Sequence, residues 1–280
     1  MLEDGPMMKP VALISLALSA AVGVALVSAA PQRLDAPMPE ALAIIDGARA
    51  RATWNAEQNF EGRFRRTVNN HLRKYDDEGE ITEDVTRGYL VEPHQGVPYA
   101  KLVTKDGEPI FDDDLADEEK RWGAFLEELS KPPDPEEPDE DPLDLAFNEA
   151  LIARYTTEST GLRTLRGRPT YVLGFKPRPG KLPARRRLDR ALNKSRGEIW
   201  IDQDTFEVAR LTFELTDRVR LWWGILGSVS NVTGRVERRP IAENVWMPDE
   251  IDVYYEYRVL FSNSRRGETT RWSDFTSIGE

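Results

Sequence analysis

The chain has 280 residues, no cysteine and two histidines, and its 49 acidic residues outnumber the 38 basic ones, for a net charge of −11. These numbers exclude disulfides, thiolate nucleophiles and cysteine-ligated metals, and they argue against nucleic-acid binding. Two histidines are too few for a histidine-rich metal centre. We therefore expect no metal and no cofactor. The length fits one domain with a sizeable core.

The N-terminus carries an apolar run, residues 11–29, which follows Lys9 and ends in Val27-Ser28-Ala29. Small residues at the last and third-last positions are what signal peptidase recognises, so the pattern predicts a signal peptide over 1–29, cleaved after Ala29. The alternative is a retained membrane anchor, because about 19 apolar residues are enough to cross a bilayer. Either way, we expect residues 30–280 to form one exported domain, in the periplasm if the signal is cleaved and membrane-anchored if it is not.

The first half of this domain mixes helical and strand periodicity. In chain order, the spacing of apolar residues predicts a helix over 37–54, strands over 60–68, 81–92 and 99–105, and a helix over 114–130. Residues 131–142 are rich in proline and acids, which predicts a solvated linker. A short helix is expected over 143–155. In the first helix, the apolar face is expected to hold Leu42, Ile45, Ala48 and Ala52.

The second half is predicted to be almost entirely β. Strands are expected over 162–165, 170–176, 197–202, 206–218, 230–239, 251–261 and 268–275. Apolar and aromatic side chains alternate with polar ones in 206–218 and 251–261, which predicts two strands that each bury one face. Eight to ten strands with a few helices indicate an antiparallel α+β fold.

Charge is segregated along the chain. Residues 163–196 carry twelve Lys or Arg against one acid, a local net of +11, whereas 101–150 carry five against eighteen, a net of −13. One interpretation is that Arg185, Arg186, Arg187 and Arg190 contact anionic lipid headgroups or an acidic partner. The other is a solvated excursion, neutralised by the acidic segment of the same chain.

An apolar segment with two glycines, Leu221-Trp222-Trp223-Gly224-Ile225-Leu226-Gly227, follows a predicted strand. If it is exposed, such a loop marks a contact with a ligand, a membrane or a protein. If it is buried, it closes the end of the sheet. No nucleophile elbow, phosphate-binding glycine loop or zinc-binding helix occurs in the sequence, so we do not expect an enzyme.

Several strings of the sequence resemble a known family. They are VPYAKLVTKDGEPI, RGEIWIDQDTFEVARLTFEL, LWWGILG, NVWMPDEIDVYYEYRVLFSN and the final WSDFTS. Over roughly 37–276 the chain is similar to exported bacterial proteins related to the outer-membrane lipoprotein carriers and sorting proteins, the LolA- and LolB-like family. It lacks the lipidated cysteine of the receptor branch.

The resemblance implies a half-barrel: a strongly curved antiparallel sheet around an apolar cavity, with helices on its concave side. It implies that the protein binds an acyl chain of a lipid or lipoprotein, in the context of outer-membrane lipoprotein sorting. The candidate ligand-binding residues are the inward-facing or loop residues Phe213, Leu215, Trp222, Trp223, Ile225, Leu226, Val253, Tyr255, Tyr257 and Phe261. The alternative function is a structural or sensor domain that holds a protein partner at the cell envelope. Transient contact with a membrane surface fits either function.

Overall fold

The computed structural model describes residues 38–131, 147–184, 187–221, 227–259 and 262–278. In this part of the chain the helices are α1 (Ala41–Gln58), α2 (Asp112–Ser130), α3 (Glu149–Ile152) and α4 (Arg187–Leu192), with a 3₁₀ helix over Phe60–Arg63. The strands are β1 (Phe64–Tyr75), β2 (Ile81–His94), β3 (Val97–Lys105), β4 (Glu108–Pro109), β5 (Tyr155–Leu165), β6 (Arg168–Pro177), β7 (Ser195–Asp202), β8 (Val208–Leu215), β9 (Val219–Leu221), β10 (Gly227–Ala242), β11 (Val245–Val259) and β12 (Ser262–Ser277). None of the helices in these ranges is both long enough and apolar enough to cross a membrane.

The twelve strands form one antiparallel sheet in the order β4-β3-β2-β1-β12-β11-β10-β8-β7-β6-β5, with β9 paired to β10. The strands from β5 onwards are neighbours in space. Within the described ranges β4 and β5 do not pair with each other, so the sheet is open. The prediction of an α+β fold built on an open antiparallel sheet is confirmed.

Helix α1 packs on one face of the sheet. Ile44, Ile45 and Ala48 are buried against side chains of β6 and β7, among them Tyr171 and Ile199. The predicted apolar face was partly wrong, because Leu42 is 66% exposed. The helix turns about 100° per residue, and this places Leu42 about 110° from the centre of the face that Ile44, Ile45 and Ala48 define.

The reach of α1 shows that the sheet curves around it. Ile44 lies over β6 and β7, while Asn59, at the other end of the helix, donates from Nδ2 to the carbonyl oxygen of Gly96 in the β2–β3 turn at 3.2 Å. From β6 to β2 the path along the sheet crosses seven strand spacings, about 33 Å. Fifteen helical residues cover only about 22 Å. The helix therefore lies on the concave face.

The segment after α1 differs from the prediction. Residues 60–63 form a 3₁₀ helix where a strand was expected. Asn59 adopts the left-handed conformation with φ of 45°, and its side chain accepts a hydrogen bond from the Gly62 N–H at 3.2 Å. This side-chain cap offers the backbone a partner other than a neighbouring strand, and asparagine tolerates the left-handed region better than most residues.

A buried carboxylate attaches α1 to the sheet. Glu207, in the connection between β7 and β8, is 1% exposed. It accepts from Arg51 Nε at 2.9 Å and from Asn55 Nδ2 at 2.7 Å, both on α1, and it pairs with Arg238 on β10. Loss of one member of a buried ion pair leaves an uncompensated charge, which costs about 3–5 kcal/mol.

We expect Glu207→Gln to lower the free energy of unfolding by about 3 kcal/mol, because Arg51 and Arg238 lose their counter-ion. The matched control is Glu214→Gln. Glu214 pairs with Arg196 at 2.6 Å, but the two side chains are 47% and 60% exposed, so this change costs about 1 kcal/mol or less. Urea denaturation of both variants measures the difference, and equal losses would contradict a tethering role for Glu207.

Two helical glycines give opposite expectations. A Cβ at Gly47 of α1 would collide with the ring of Phe206, whereas a Cβ at Gly123 of α2 would meet nothing within 4 Å. Alanine favours a helix over glycine by about 1 kcal/mol, and overpacking costs about 1–3 kcal/mol. Gly123→Ala should therefore raise the melting temperature and Gly47→Ala should lower it, as measured by thermal unfolding. A rise in both would mean that α1 sits less tightly on the sheet.

Candidate functional site

The concave face continues past α1 onto the middle of the sheet. Phe213 on β8 is opposite Gly234 on β10, and Gly234 is opposite Val253 on β11. The Phe213 ring occupies the space that a side chain at position 234 would need. Because glycine leaves that space free, the ring lies over β10 next to the Val253 position. These side chains form an apolar floor, and Phe213 and Val253 are only half-buried.

Two tyrosines extend this floor along β11. Tyr255 and Tyr257 lie on the same face as Val253, because side chains two residues apart in a strand share a face. Their ring centroids are 6.0 Å apart. Burial raises the pKa of the Tyr255 phenol; the charge of Arg266 opposes this shift and that of Glu268 adds to it. Tyr255 is therefore neutral at physiological pH and offers an apolar ring with one hydroxyl.

The floor meets a cleft of about 550 Å³ at its β12 side. The residues that line this cleft are Lys74, Tyr75, Asp76, Thr82, Tyr257, Asn263, Ser264 and Arg266. A second cavity, beneath Trp246, holds about 20 Å³, which is room for a single water. The larger cleft falls in the range of about 300–1,000 Å³ that is typical of small-molecule sites.

The structure brings together the predicted site residues that it describes. Phe213 and Leu215 are two residues apart on β8, and Val253, Tyr255 and Tyr257 have the same spacing on β11. All five side chains therefore lie on the concave face. The remaining predicted ligand contacts lie outside the described residues: Trp222, Trp223, Ile225, Leu226 and Phe261. Arg185 and Arg186 also lie outside them, and Arg187 begins α4.

Helix α4 lies beside the strand that leads into the apolar loop. Arg190 is exposed, and its Nη1 donates to the carbonyl oxygen of Arg220 on β9 at 3.5 Å. Of the candidate basic contacts, Arg190 therefore lies beside the strand that ends at Leu221. This arrangement was not deduced from the sequence, because it depends on the fold of residues 187–221.

Three arginines of the basic stretch, residues 163–196, pair with acids of the sheet. Arg166 pairs with Glu237, Arg168 with Asp202 and Arg196 with Glu214. Among the described residues, no ion pair joins this stretch to the acidic segment 101–150. Acids of β10, β7 and β8, respectively, are thus the partners of these three arginines.

The sequence analysis missed Arg266. This residue lies on β12 directly opposite Tyr255, with its guanidinium carbon 4.9 Å from the centroid of the Tyr257 ring. Alternation within β12 was visible in the sequence, but the register that pairs Arg266 with Tyr255 was not. In the part of the chain that the structure describes, no three His, Asp or Glu side chains converge to hold a metal ion.

No protein-family model and no curated protein matches this chain. Solved structures similar to it include a LolA superfamily protein from Nitrosomonas europaea, with 14% identity and a TM-score of 0.32 over 87% of this chain and 96% of that one. A domain from Vibrio parahaemolyticus described as outer-membrane lipoprotein-sorting has 12% identity and a TM-score of 0.31 over 83% and 91% of the two chains. The lipoprotein LppX of Mycobacterium tuberculosis has 10% identity and a TM-score of 0.28 over 86% and 98%.

These structures belong to the group of proteins that the sequence motifs resemble. With TM-scores below 0.5, the likenesses carry no argument about what this chain binds.

Proposed function

We propose that this chain is an exported, periplasmic protein that binds an acyl chain of a lipid or lipoprotein on the concave face of its sheet. The observation that carries the proposal is the half-buried apolar floor of Phe213, Val253, Tyr255 and Tyr257 beside a cleft of about 550 Å³. A role in outer-membrane lipoprotein sorting is the finer form of the same proposal.

The floor differs from the packed half of the same face. Under α1, Leu173 and Ile201 on β6 and β7 are 0% exposed. Phe213 on β8 and Val253 on β11 lie farther along their strands than the β7–β8 and β10–β11 turns that α1 contacts, and they keep part of their surface open. An acyl chain laid on this surface removes apolar area from water on both partners, and each buried CH₂ contributes about 0.8 kcal/mol. The geometry therefore favours a long apolar ligand.

The proposal extends to residues that the structure does not describe. Residues 1–29 act as the export signal, and residues 30–280 form one half-barrel domain with the linker 131–142. Trp222, Trp223, Ile225 and Leu226 form the lip of the site, and Phe261 extends the floor. Arg185, Arg186, Arg187 and Arg190 contact headgroups or an acidic partner.

Native mass spectrometry of the purified full chain tests the proposal directly. We expect adducts with the mass of a lipid or fatty acid, released under denaturing conditions. The binding of a fluorescent fatty acid by protein stripped of lipid is the second measurement. If no adduct is found and no probe binds, the proposal is wrong.

Two adjacent tyrosines provide a matched pair of variants. Tyr255 points to the concave face, whereas Tyr254 points to the other face, 6.4 Å from the ring of Tyr75. We expect Tyr255→Ala to weaken binding of a fluorescent fatty acid about tenfold, the effect of losing about 1.4 kcal/mol of contact. Tyr254→Ala should leave the affinity within about twofold. Equal losses in the two variants would place the ligand elsewhere.

A protein partner at the cell envelope is the second candidate, and α2 favours it. Leu115 and Leu126 on this helix are 42% and 43% exposed, and Phe111 just before it is 68% exposed. Exposed apolar side chains gathered on one helix are typical of an interaction surface. This candidate predicts that a partner's binding depends on these three side chains and is unaffected by Tyr255→Ala.

A further inference from the structure

We propose that the acyl ligand carries an anionic head group and that Arg266 binds it. The inference rests on the proposed function and assigns a polarity to that same site. The head group lies in the cleft beside β12, and the chain extends over the apolar floor towards Val253 and Phe213.

Arg266 is placed at the junction of the cleft and the floor. It lies opposite Tyr255 on one side and opposite Lys74 of β1 on the other, and it lines the cleft. Its guanidinium group stacks on Tyr257 at 4.9 Å, which holds the group on the concave face. Its Nε–H is buried and has no hydrogen-bond acceptor. None of the residues that the structure describes forms an ion pair with it.

The neighbouring charges are already engaged. Lys74 pairs with Glu83. Glu268, two residues from Arg266 on the same face, accepts from Asn70 Nδ2 at 2.8 Å. The carboxylate of Asp76 accepts the backbone N–H groups of residues 78, 79 and 80 in its own turn. Glu268 and Asp76 keep their negative charge, but among the described residues neither forms an ion pair with Arg266.

The neighbouring residue, Arg265, shows that the unsatisfied donor is particular to the concave face. Arg265 points to the opposite face, where it pairs with Glu256 at 3.6 Å and donates to the carbonyl oxygens of Asp76 and Asp77. Two adjacent arginines of one strand therefore differ in the face they occupy and in their hydrogen-bond partners. Arg265 is satisfied by the protein, whereas Arg266, which hydrogen-bonds Tyr255, keeps a buried Nε–H without an acceptor beside a ligand-sized space.

The chemistry of this donor selects the head group. A guanidinium group presents N–H donors in a planar fork that matches the paired oxygens of a carboxylate or a phosphate. A buried N–H without an acceptor destabilises the protein, and a ligand oxygen would supply that acceptor. A neutral alcohol offers one weakly accepting oxygen and no charge. Anionic amphiphiles should therefore bind more tightly than neutral ones of equal chain length.

The test uses three ligands with the same ten-carbon chain: decanoate, decyl phosphate and decanol. Each displaces the neutral dye N-phenyl-1-naphthylamine from the full chain at pH 8, where both acids are ionised. For the wild type, we expect the better of the two anions to displace the dye at a concentration about tenfold lower than decanol, the gain of one charge-assisted hydrogen bond. Comparing the two anions distinguishes a carboxylate head group from a phosphate one.

Arg266→Gln should remove the preference for anions and leave decanol unchanged. Arg265→Gln is the matched control and should keep the preference. Arg266→Lys retains the charge and should show part of the preference for anions. This variant keeps the test informative if the Gln variant does not fold. Circular dichroism checks the fold of each variant.

Two results would overturn the inference in different ways. If decanol displaces the dye as well as the anions do, and Arg266→Gln changes nothing, the head-group assignment is wrong while acyl binding stands. If none of the three ligands displaces the dye and no fluorescent fatty acid binds, the proposed function fails and the inference fails with it.

Discussion

One buried carboxylate, Glu207, holds helix α1 against the concave face of the sheet. A charge taken out of water costs several kcal/mol unless partners surround it, and Glu207 has two arginines and an asparagine around it. Two of these partners lie on α1 and the third on β10. The interaction therefore fixes the helix over one half of the face. Elsewhere on this face, the apolar floor of Phe213, Val253, Tyr255 and Tyr257 is only half-buried.

Local patterns predicted much of the sheet and half of the site. Alternation of side chains is a property of a single strand, so the shared face of Val253, Tyr255 and Tyr257 was visible in the sequence. Phe213 and Leu215 were identified in the same way. The strands after residue 155 lie side by side in the sheet, because short turns between antiparallel strands place sequence neighbours together.

What the sequence did not reveal depends on contacts between distant residues. Glu207 and Arg51 are 156 positions apart, and nothing in either local pattern announces a buried ion pair. The importance of Arg266 comes from its register with Tyr255, which is a property of two strands together. The alternation of side chains after Asn59 is typical of a strand, but the side-chain cap of Asn59 favours a 3₁₀ helix there. Leu42 was misassigned because periodicity gives the spacing of a helical face but not the direction from which the sheet approaches.

An open sheet has two edge strands, and each is a potential template for another chain. At one edge, β4 has only two residues and ends in Pro109, which has no N–H to donate. At the other edge, β5 changes register at Gly161, whose φ of 133° interrupts a regular ladder. Both edges are therefore interrupted, although β4 covers only Thr104 and Lys105 of β3. These interruptions hinder the strand-to-strand pairing that leads to aggregation, while the sheet stays open.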